Sequence, residues 1–347
     1  MNGLALLEAF KTVMGHQDLT EDEARDAMLE IMSGTATPEL IAGFVGVMRF
    51  KRETVDEITG FARAMRAKGV RIEPKVAGRL VDTCGTGGAA VKAFNISTAS
   101  AFVAAAAGVP VAKHGNKSVT RPSGSADVLA ALGANLQVSA ARVQRIIETV
   151  GVGFLLAPGF HPAIKNATAT RSAFQVRTVF NILGPLNNPA GAKGQVLGVF
   201  AEEHVEPMAH VLGRLGTEHA LVLHGEGMDE ANLAGATTVC EVRDGGVTRF
   251  TMRGRDYGYP AYEPSAWGPL PPDESANEIR RILGGKVRGA RRDIVEYNAG
   301  LAIYVSGKAG TIERGLARAR EILDTDAALT KLDEFIAATR AEEVQAA

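Results

Sequence analysis

After Pro74, short β-branched runs alternate with amphipathic helix patterns, and this alternation constrains the fold more than any other feature. The runs include RLVDTC, GVPVA and GQVLGVF, and the helical segments include SADVLAALG and SAARVQRIIETVG. Such alternation builds βαβ units, in which helices flank a mostly parallel central sheet. The sequence therefore predicts an α/β domain over residues 73–158 and 189–340.

The first 72 residues predict a smaller helical domain. The segments TEDE, from Thr20, and TVDE, from Thr54, place a hydroxyl three residues before an acid, which is the capping box of a helix start. The segment at about 159–188 is also helical in pattern and punctuated by Pro, so we expect it to return to this domain. Residues 341–347 are predicted to form a frayed tail.

Composition excludes several classes of protein. The chain has 38 Lys and Arg against 39 Asp and Glu, a net charge of -1, so no strong field attracts nucleic acid or a membrane surface. The longest apolar run, Ala99 to Ala112, is too short and too Ala-rich to span a bilayer. The N-terminal segment has no basic leader followed by an apolar run. Cys84 and Cys240 form neither a disulfide framework nor a zinc motif, so we expect a cytoplasmic protein.

A glycine-rich loop follows the predicted strand LVDTC and consists of Gly85, Thr86, Gly87 and Gly88. Glycines allow an anionic ligand to approach backbone N–H groups closely. An isolated loop of this kind is more often a simple tight turn. Its interpretation therefore depends on the neighbouring segments of the chain.

The next predicted helix opens with Asn95, Ser97 and Thr98. Free N–H groups, hydroxyls and the helix dipole all favour a phosphate at such a helix start. Helix capping needs only one residue of this type, whereas three come after the glycine loop. The group therefore strengthens the prediction of a phosphate site.

The following strand, VPVA, is succeeded by Lys113, His114 and Asn116, and the segment SGSAD places Ser125 at another helix start. In a parallel sheet the carboxyl ends of neighbouring strands line one crevice, which places these groups beside the glycine loop. Together the residues favour a phosphate-binding site over a set of structural turns.

A pair of adjacent carboxylates, Asp229 and Glu230, follows another predicted strand. Hard carboxylate oxygens beside a polyphosphate are typical of magnesium sites. An Asp-Glu pair more often lies in a solvated loop. Because this pair follows a strand of the same sheet, a solvated loop and a magnesium site are equally expected.

Two arginines, Arg171 and Arg177, occur among apolar neighbours. An Arg in this setting either pairs with a buried acid or offers its fork to the carboxylate of a ligand. The residues alone leave that choice open.

The motifs GTGG, FNISTASAFVAAAAG, VAKHGN, SGSAD, GFLLAPGFHPAIK, RTVFNILGPLNNPA and MDE, in this order, resemble the anthranilate phosphoribosyltransferase family. The resemblance covers almost the whole chain. It implies transfer of the phosphoribosyl group from 5-phosphoribosyl diphosphate (PRPP) to the amine of anthranilate. The products would be N-(5-phosphoribosyl)anthranilate and diphosphate, in tryptophan biosynthesis. It also implies a homodimer that forms through the helical domains.

The resemblance further assigns roles to residues of this chain. The implied PRPP contacts are Gly85, Thr86, Gly87, Gly88, Asn95, Ser97, Thr98, Lys113 and Ser125. The implied Mg²⁺ ligands are Ser97, Asp229 and Glu230. The implied anthranilate contacts are Gly85, His114, Asn116 and Arg171. No side chain is assigned as a nucleophile, because the amine of anthranilate is one already. His114 is a candidate proton acceptor, although an orienting role is the one expected of it.

The chain departs from the usual family pattern beside the glycine loop. Ala89 stands where the family usually has Asp, Lys92 and Ala93 replace a small polar pair, and Phe174 and Gln175 lie where Leu-Gly is usual. Because of these departures, an aromatic amine other than anthranilate remains an alternative acceptor.

Two further alternatives are a nucleoside phosphorylase and a non-catalytic relative that binds nucleic acid. Asp229 and Glu230 favour an enzyme with a magnesium-dependent diphosphate substrate over a nucleoside phosphorylase. A non-catalytic relative that binds nucleic acid is disfavoured by the GTGG and MDE motifs and by the net charge of -1.

Overall fold

The computed structural model describes residues 4–118 and 122–341, with the exception of the Arg171 side chain. Its α-helices are α1 (Ala5–Met14), α2 (Glu21–Ser33), α3 (Pro38–Lys51), α4 (Val55–Lys68), α5 (Ile96–Ala106), α6 (Ser125–Ala131), α7 (Ala140–Val150), α8 (Ala157–Phe160), α9 (Thr168–Phe174), α10 (Phe180–Leu183), α11 (Val205–Arg214), α12 (Pro272–Leu283), α13 (Ala290–Val305), α14 (Ile312–Leu323) and α15 (Ala327–Arg340). Its strands are β1 (Val81–Gly85), β2 (Val111–Gly115), β3 (Val152–Leu156), β4 (Gly194–Gly198), β5 (His219–His224), β6 (Ala236–Arg243) and β7 (Gly246–Arg253). The predicted frayed tail lies, from residue 342 onward, outside the described residues.

Helices α1 to α4 form the helical unit at the start of the chain, and both predicted capping boxes are confirmed. The hydroxyls of Thr20 and Thr54 each accept an N–H three residues on at 3.3 Å, and the acids there accept the cap N–H at 2.8 Å. Helices α2 and α4 cross closely at Gly60, where a Cβ atom would lie 2.2 Å from the Glu21 carbonyl oxygen. Glycine is needed there because two backbones meet.

The segment at about 159–188 packs against helices α2, α3 and α4. The 3-10 helix Pro162–Ala167 lies against α2, α9 against α3, and α10 against α4. Phe180 and Leu183 of α10 share one apolar cluster with Phe44 and Phe61 of the first helices. The residue boundaries between the two domains stay a prediction.

Among the described residues, the strands form one sheet in the order β3-β2-β1-β4-β5-β6-β7. Strands β1 to β5 pair in parallel, while β6 and β7 add an antiparallel edge, so the predicted mostly parallel sheet is confirmed. The direction of strand order reverses between β1 and β4. In open α/β sheets, ligands bind at the carboxyl ends of the strands beside such a reversal.

The apolar run Ala99 to Ala112 supplies most of α5 and the start of β2, and most of it is buried. The prediction of a buried helix that runs into a strand is thus confirmed. None of the helices in residues 4–118 and 122–341 combines the length and the apolar character that a membrane crossing requires.

Candidate active site

The predicted site residues gather at the carboxyl edge of the parallel strands. The glycine loop continues from β1, Lys113 and His114 end β2, and Asp229 follows β5. Gly85 is in register with Gly198 at the end of the neighbouring β4. Parallel pairing thus brings together groups that are more than one hundred residues apart in sequence.

Asp229 packs directly against the glycine loop. Its Oδ2 accepts a hydrogen bond from the N–H of Gly87 at 2.8 Å. A Cβ atom on Gly85 would lie 2.6 Å from the same Oδ2, and one on Gly198 would lie 1.8 Å from the Asp229 carbonyl oxygen. Glycines at 85 and 198 are therefore required for the carboxylate to reach the loop.

Two backbone N–H groups of the glycine loop donate hydrogen bonds to other parts of the protein. The N–H of Thr86 donates to the carbonyl of Gly198 at 2.9 Å, and that of Gly87 is bonded to Asp229. The sequence predicts that this loop exposes its backbone N–H groups to a ligand. The N–H groups of Thr86 and Gly87 donate to acceptors within the protein instead. Gly87 and Gly88 have φ angles of +70° and +77°, so the turn after β1 depends on glycine.

Asn95 occupies the cap position of α5 without capping it through its side chain. Its Oδ1 accepts from the Ser275 hydroxyl at 2.8 Å, and its Nδ2 donates to the Ser123 carbonyl at 3.3 Å. The side chain thus links α5 to the starts of α6 and α12. Ser97 is half-buried, whereas Thr98 is fully buried and its hydroxyl has no hydrogen-bond partner among the described residues.

Lys113 lies under the start of α5. Its Nζ donates to the Thr83 carbonyl and, at 3.3 Å, to the hydroxyl of Ser97. Burial lowers the pKa of Lys113, and the charges of Asp82 and Glu230 oppose that shift. The ammonium thereby connects the α5 start with β1.

A buried carboxylate that the sequence interpretation missed lies below this site. Asp82, in β1, is fully buried; its Oδ1 accepts from the His114 N–H at 3.1 Å and its Oδ2 from Asn188 Nδ2 at 2.8 Å. Burial raises its pKa, and the charge of Lys113 opposes the shift. An acid inside the apolar strand LVDTC was the signal in the sequence that could have revealed it.

His114, near the end of β2, forms a buried pair with His161. Their ring centroids are 5.2 Å apart, in an edge-to-face arrangement. Burial, followed by the neighbouring His161, lowers the pKa of His114 to about 3. Burial also lowers the pKa of His161, a residue that sequence reasoning did not single out. Both rings are therefore neutral at physiological pH.

The remaining predicted contacts lie around the end of β2. Asn116 is exposed, and its carbonyl accepts the N–H of Ala126 at 3.2 Å. Ser125 opens α6, so close that a Cβ atom on Gly115 would lie 3.1 Å from its Cβ. Arg171 belongs to α9, but its side chain lies outside the described part of the chain.

The structure bears on one of the two interpretations of Arg177, the pairing with a buried acid; the contact with a ligand carboxylate stays a prediction. The Arg177 guanidinium donates to the carbonyl of Gly88 and lies over the ring of Phe200, 4.3 Å from the centroid. The group is thus bonded to the glycine loop rather than to a buried acid.

The oxygen atoms after β5 and at α5 suit Mg²⁺. Asp229 is buried and Glu230 half-buried, and the Ser97 hydroxyl accepts a hydrogen bond from Lys113 Nζ at 3.3 Å. No group of three or more His, Cys, Asp or Glu side chains that could hold a metal occurs in the described residues. Two carboxylates and a hydroxyl fit a magnesium ion that takes its other ligands from a phosphate substrate and water.

Two family models match the chain: the glycosyl transferase family helical bundle domain over residues 7–69, and the α/β domain over residues 77–329. The anthranilate phosphoribosyltransferase of Acetivibrio thermocellus is 48% identical over 332 residues, which cover 95% of this chain and 96% of that relative. The chain belongs to the anthranilate phosphoribosyltransferase family.

Solved structures of the family agree with this fold. The enzyme from Thermus thermophilus superimposes with a TM-score of 0.92 at 40% identity, over 96% of this chain and 99% of that one. The Saccharomyces cerevisiae enzyme in complex with PRPP and Mg has a TM-score of 0.88 at 25% identity, over 97% and 98% of the two chains. The helical domain and the larger α/β domain are thus those of anthranilate phosphoribosyltransferases.

Proposed function

We propose that the protein transfers the phosphoribosyl group of PRPP to the amino group of anthranilate, with release of diphosphate, in tryptophan biosynthesis. The observation that carries this proposal is the 48% identity to an anthranilate phosphoribosyltransferase over 95% of the chain. The clustering of the glycine loop, Lys113 and Asp229 at one edge of the sheet supports it.

The donor site of this proposal consists of the residues around the glycine loop. We assign PRPP to Gly85, Thr86, Gly87, Gly88, Asn95, Ser97, Thr98, Lys113 and Ser125. The positive charge of Lys113 and the start of α5 favour a phosphate there. Thr98 is buried below the surface of the site, so its part is to support the helix start from beneath.

Magnesium is the cofactor of the proposed reaction, held by Ser97, Asp229 and Glu230. A family member from yeast has been solved with PRPP and Mg, and the oxygen donors of this chain suit the same ion. When bound, the ion supplies positive charge that offsets the charge developing on the leaving diphosphate. The protein contributes by holding the Asp229 carboxylate against the loop through its bond with the Gly87 N–H.

The acceptor site combines Gly85, His114, Asn116 and Arg171. The pKa of His114, about 3, makes the neutral ring a weak base, which supports an orienting role for it rather than proton removal. Arg171 would clamp the carboxylate of anthranilate with two parallel hydrogen bonds. The aromatic amine is a nucleophile already, so the site raises the rate chiefly by placing it against the ribose.

We further propose that the protein is a cytoplasmic homodimer that associates through its helical domain. Large apolar side chains are exposed on this part of the chain: Leu4 at 63%, Met14 at 55%, Phe50 at 86% and Val176 at 60%. Exposed apolar groups of this size favour association. Both cysteines are free and buried, as suits a reducing compartment.

One assay tests the reaction. The protein is mixed with anthranilate, PRPP and Mg²⁺, and the loss of anthranilate fluorescence is followed. We expect turnover that requires all three components. Turnover only with another aromatic amine would assign a different acceptor, and cleavage of a nucleoside by inorganic phosphate would replace the proposal with the phosphorylase alternative.

A further inference from the structure

One buried helix contacts both parts of the chain that supply the proposed magnesium ligands. Helix α13 is buried at every residue from Ile294 to Val305 and packs against α5, whose first turn contains Ser97. Through the side chain of Asn298 it also contacts the segment after β5. These two parts of the chain are far apart in sequence, so their separation in space depends on an element that touches both.

The side-chain amide of Asn298 binds the backbone of Ala231, the residue directly after Glu230. Its Oδ1 accepts the Ala231 N–H at 2.9 Å, and its Nδ2 donates to the Ala231 carbonyl at 3.0 Å. The same Nδ2 donates to the Ile294 carbonyl of α13 at 2.9 Å. Asn298 is 3% exposed and Ala231 is fully buried, so water does not compete for these bonds. The amide therefore fixes the backbone on both sides of Ala231.

The carboxylate segment before Ala231 is also held by close packing. A Cβ atom on Gly225 would lie 2.4 Å from the carbonyl oxygen of Glu230. Oδ2 of Asp229 accepts the Gly87 N–H at 2.8 Å. The segment is thus bound to the glycine loop through Asp229 and to α13 through Ala231.

Helix α13 holds α5 at a position close to Asn298. The hydroxyl of Ser100, which is 1% exposed, donates to the Val295 carbonyl at 3.2 Å. Val295 and Asn298 are three positions apart, which is about 4.5 Å along a helix axis. Ser97 lies three positions before Ser100 on α5. Neighbouring positions of one helix therefore hold α5 near Ser97 and the segment that contains the two carboxylates.

The position of α13 is fixed by its contact with α14. A Cβ atom on Gly300 would lie 2.5 Å from Leu316 Cδ2, and one on Gly315 would lie 2.3 Å from the Gly300 carbonyl oxygen. The two helices thus meet backbone to backbone, and such close packing leaves no room for one to slide along the other. Helix α13 is therefore a rigid reference for both groups of proposed ligands.

We propose that Asn298 is a positioning residue of the magnesium site, which sets where Asp229 and Glu230 lie relative to Ser97. This inference rests on the proposed function and adds a residue to it. Magnesium requires near-ideal octahedral geometry, so a small displacement of its carboxylate ligands weakens its binding. Asn298 is not expected to touch the ion or the substrate, because its amide is buried and bonded to the backbone.

Three variants test the contacts of α13. Asn298→Leu has nearly the same shape and removes both bonds to Ala231. Asn298→Asp keeps an acceptor for the Ala231 N–H but places a carboxylate against the Ala231 and Ile294 carbonyls. Ser100→Ala is milder, since it removes only the bond to Val295.

Thr339→Val is the matched control. Thr339 is 3% exposed and lies near the end of α15, a helix that supplies none of the proposed site residues. Its hydroxyl donates to the Ile336 carbonyl at 2.8 Å and accepts the Asn135 N–H at 3.0 Å. The control thus loses the same kind of buried bonds, one within its helix and one to a distant segment.

The primary measurement is calorimetric binding of inorganic diphosphate with and without MgCl₂. The ratio of the two affinities reports the magnesium site, whereas a general loss of structure lowers both affinities. We expect each Asn298 variant to reduce the gain from magnesium about tenfold, the usual effect of removing a group that orients metal ligands. Ser100→Ala should reduce it less. Diphosphate affinity without magnesium and KM for anthranilate should stay near the wild-type values.

Thermal melts identify the folded variants. Thr339→Val should melt below the wild type and still keep the full gain from magnesium. An unchanged gain in the folded Asn298 variants, or an equal loss with and without magnesium, would reduce Asn298 to a structural residue and overturn the inference. If neither Asn298 variant folds, an unchanged gain in Ser100→Ala overturns it.

Two results for the wild type separate this inference from the proposed reaction. A diphosphate affinity that magnesium does not change would overturn the inference, because there would be no magnesium site to position. A wild-type protein that gains affinity from magnesium but does not consume anthranilate would contradict the proposed reaction instead, and leave the role of Asn298 standing.

Discussion

The backbone N–H of Gly87 donates a hydrogen bond of 2.8 Å to Oδ2 of Asp229, across 142 positions of sequence. This bond joins the glycine loop after β1 to the acidic segment after β5. A shift of either segment therefore moves the other, and the proposed diphosphate and magnesium positions form one unit.

The first prediction separates the charge of Asp229 from its contact with the loop. In Asp229→Asn the amide oxygen can still accept the Gly87 N–H, so the loop keeps its position while a carboxylate is lost. We expect turnover to fall about a hundredfold or more, the usual effect of removing charge stabilisation at a leaving group. Glu230→Gln should act in the same direction. The rate is measured against Mg²⁺ concentration.

Asp256→Asn, on the exposed 3-10 helix Gly254–Tyr257, is the control for this change. Wild-type turnover and an unchanged magnesium dependence in Asp229→Asn would remove this carboxylate from the metal site.

The second prediction concerns the close approach at Gly85. In Gly85→Ala the new Cβ would lie 2.6 Å from Asp229 Oδ2, so either the carboxylate or the loop must move. We expect lower thermal stability and a greater loss of kcat than in Gly246→Ala, where the nearest atom is 3.6 Å away. If the two variants are equally active and stable, the contact between loop and carboxylate does not matter for either property.

The third prediction concerns acceptor recognition. Arg171→Ala removes the proposed clamp on the anthranilate carboxylate, a contribution of about 1.5 to 3 kcal/mol for a bond to a charged group. KM for anthranilate should rise by about tenfold to a hundredfold, and KM for PRPP should rise less. Ser172→Ala, at the next, exposed position of α9, is the control. Equal rises in both KM values would indicate a structural Arg.

The fourth prediction follows from the burial of His114. Its pKa of about 3 in the folded protein lies below the value of about 6.5 in an unfolded chain. Below pH 6.5 the unfolded state therefore binds a proton that the folded state does not. This histidine then lowers the free energy of unfolding by about 1.4 kcal/mol for each pH unit as the pH falls toward 4.

His114→Gln removes this contribution. The stability difference between wild type and variant should be constant above about pH 7 and shift in favour of the variant as the pH falls from 6.5 to 4. Urea unfolding at a series of pH values measures it. A difference that does not vary with pH would mean that His114 is protonated in the folded protein as readily as in the unfolded chain.

The fifth prediction concerns association through the helical domain. Phe50 is 86% exposed, so Phe50→Glu should not disturb the fold of the single chain. We expect light scattering after size-exclusion chromatography to show a dimer for the wild type and a shift toward monomer for the variant. Arg255→Gln, on the opposite domain, should remain dimeric. A dimeric Phe50→Glu protein would place the interface elsewhere.

Residues close together in sequence carried the predictions that were confirmed. The capping boxes at Thr20 and Thr54 and the buried helix from Ala99 rest on patterns within single elements, and the mostly parallel sheet rests on the alternation of strand and helix patterns along the chain. Parallel strands then bring the glycine loop, Lys113 and Asp229 to one edge, because such strands end on the same side of a sheet. The sequence by itself thus determined the elements, the class of fold and the edge at which the site lies.

Tertiary structure alone decided which partners the polar groups have. Asp82 bonds Asn188 over 106 positions, and Arg177 bonds Gly88 over 89, although no local pattern connects either pair. Arg177 bonds the Gly88 carbonyl instead of a buried acid because a guanidinium also satisfies its donors with a backbone carbonyl. The sequence predicts Thr98 as a site residue, and only the packing of α5 decided that its side chain is buried. Contacts between residues this far apart in sequence depend on how whole elements pack, so short stretches of sequence do not predict them.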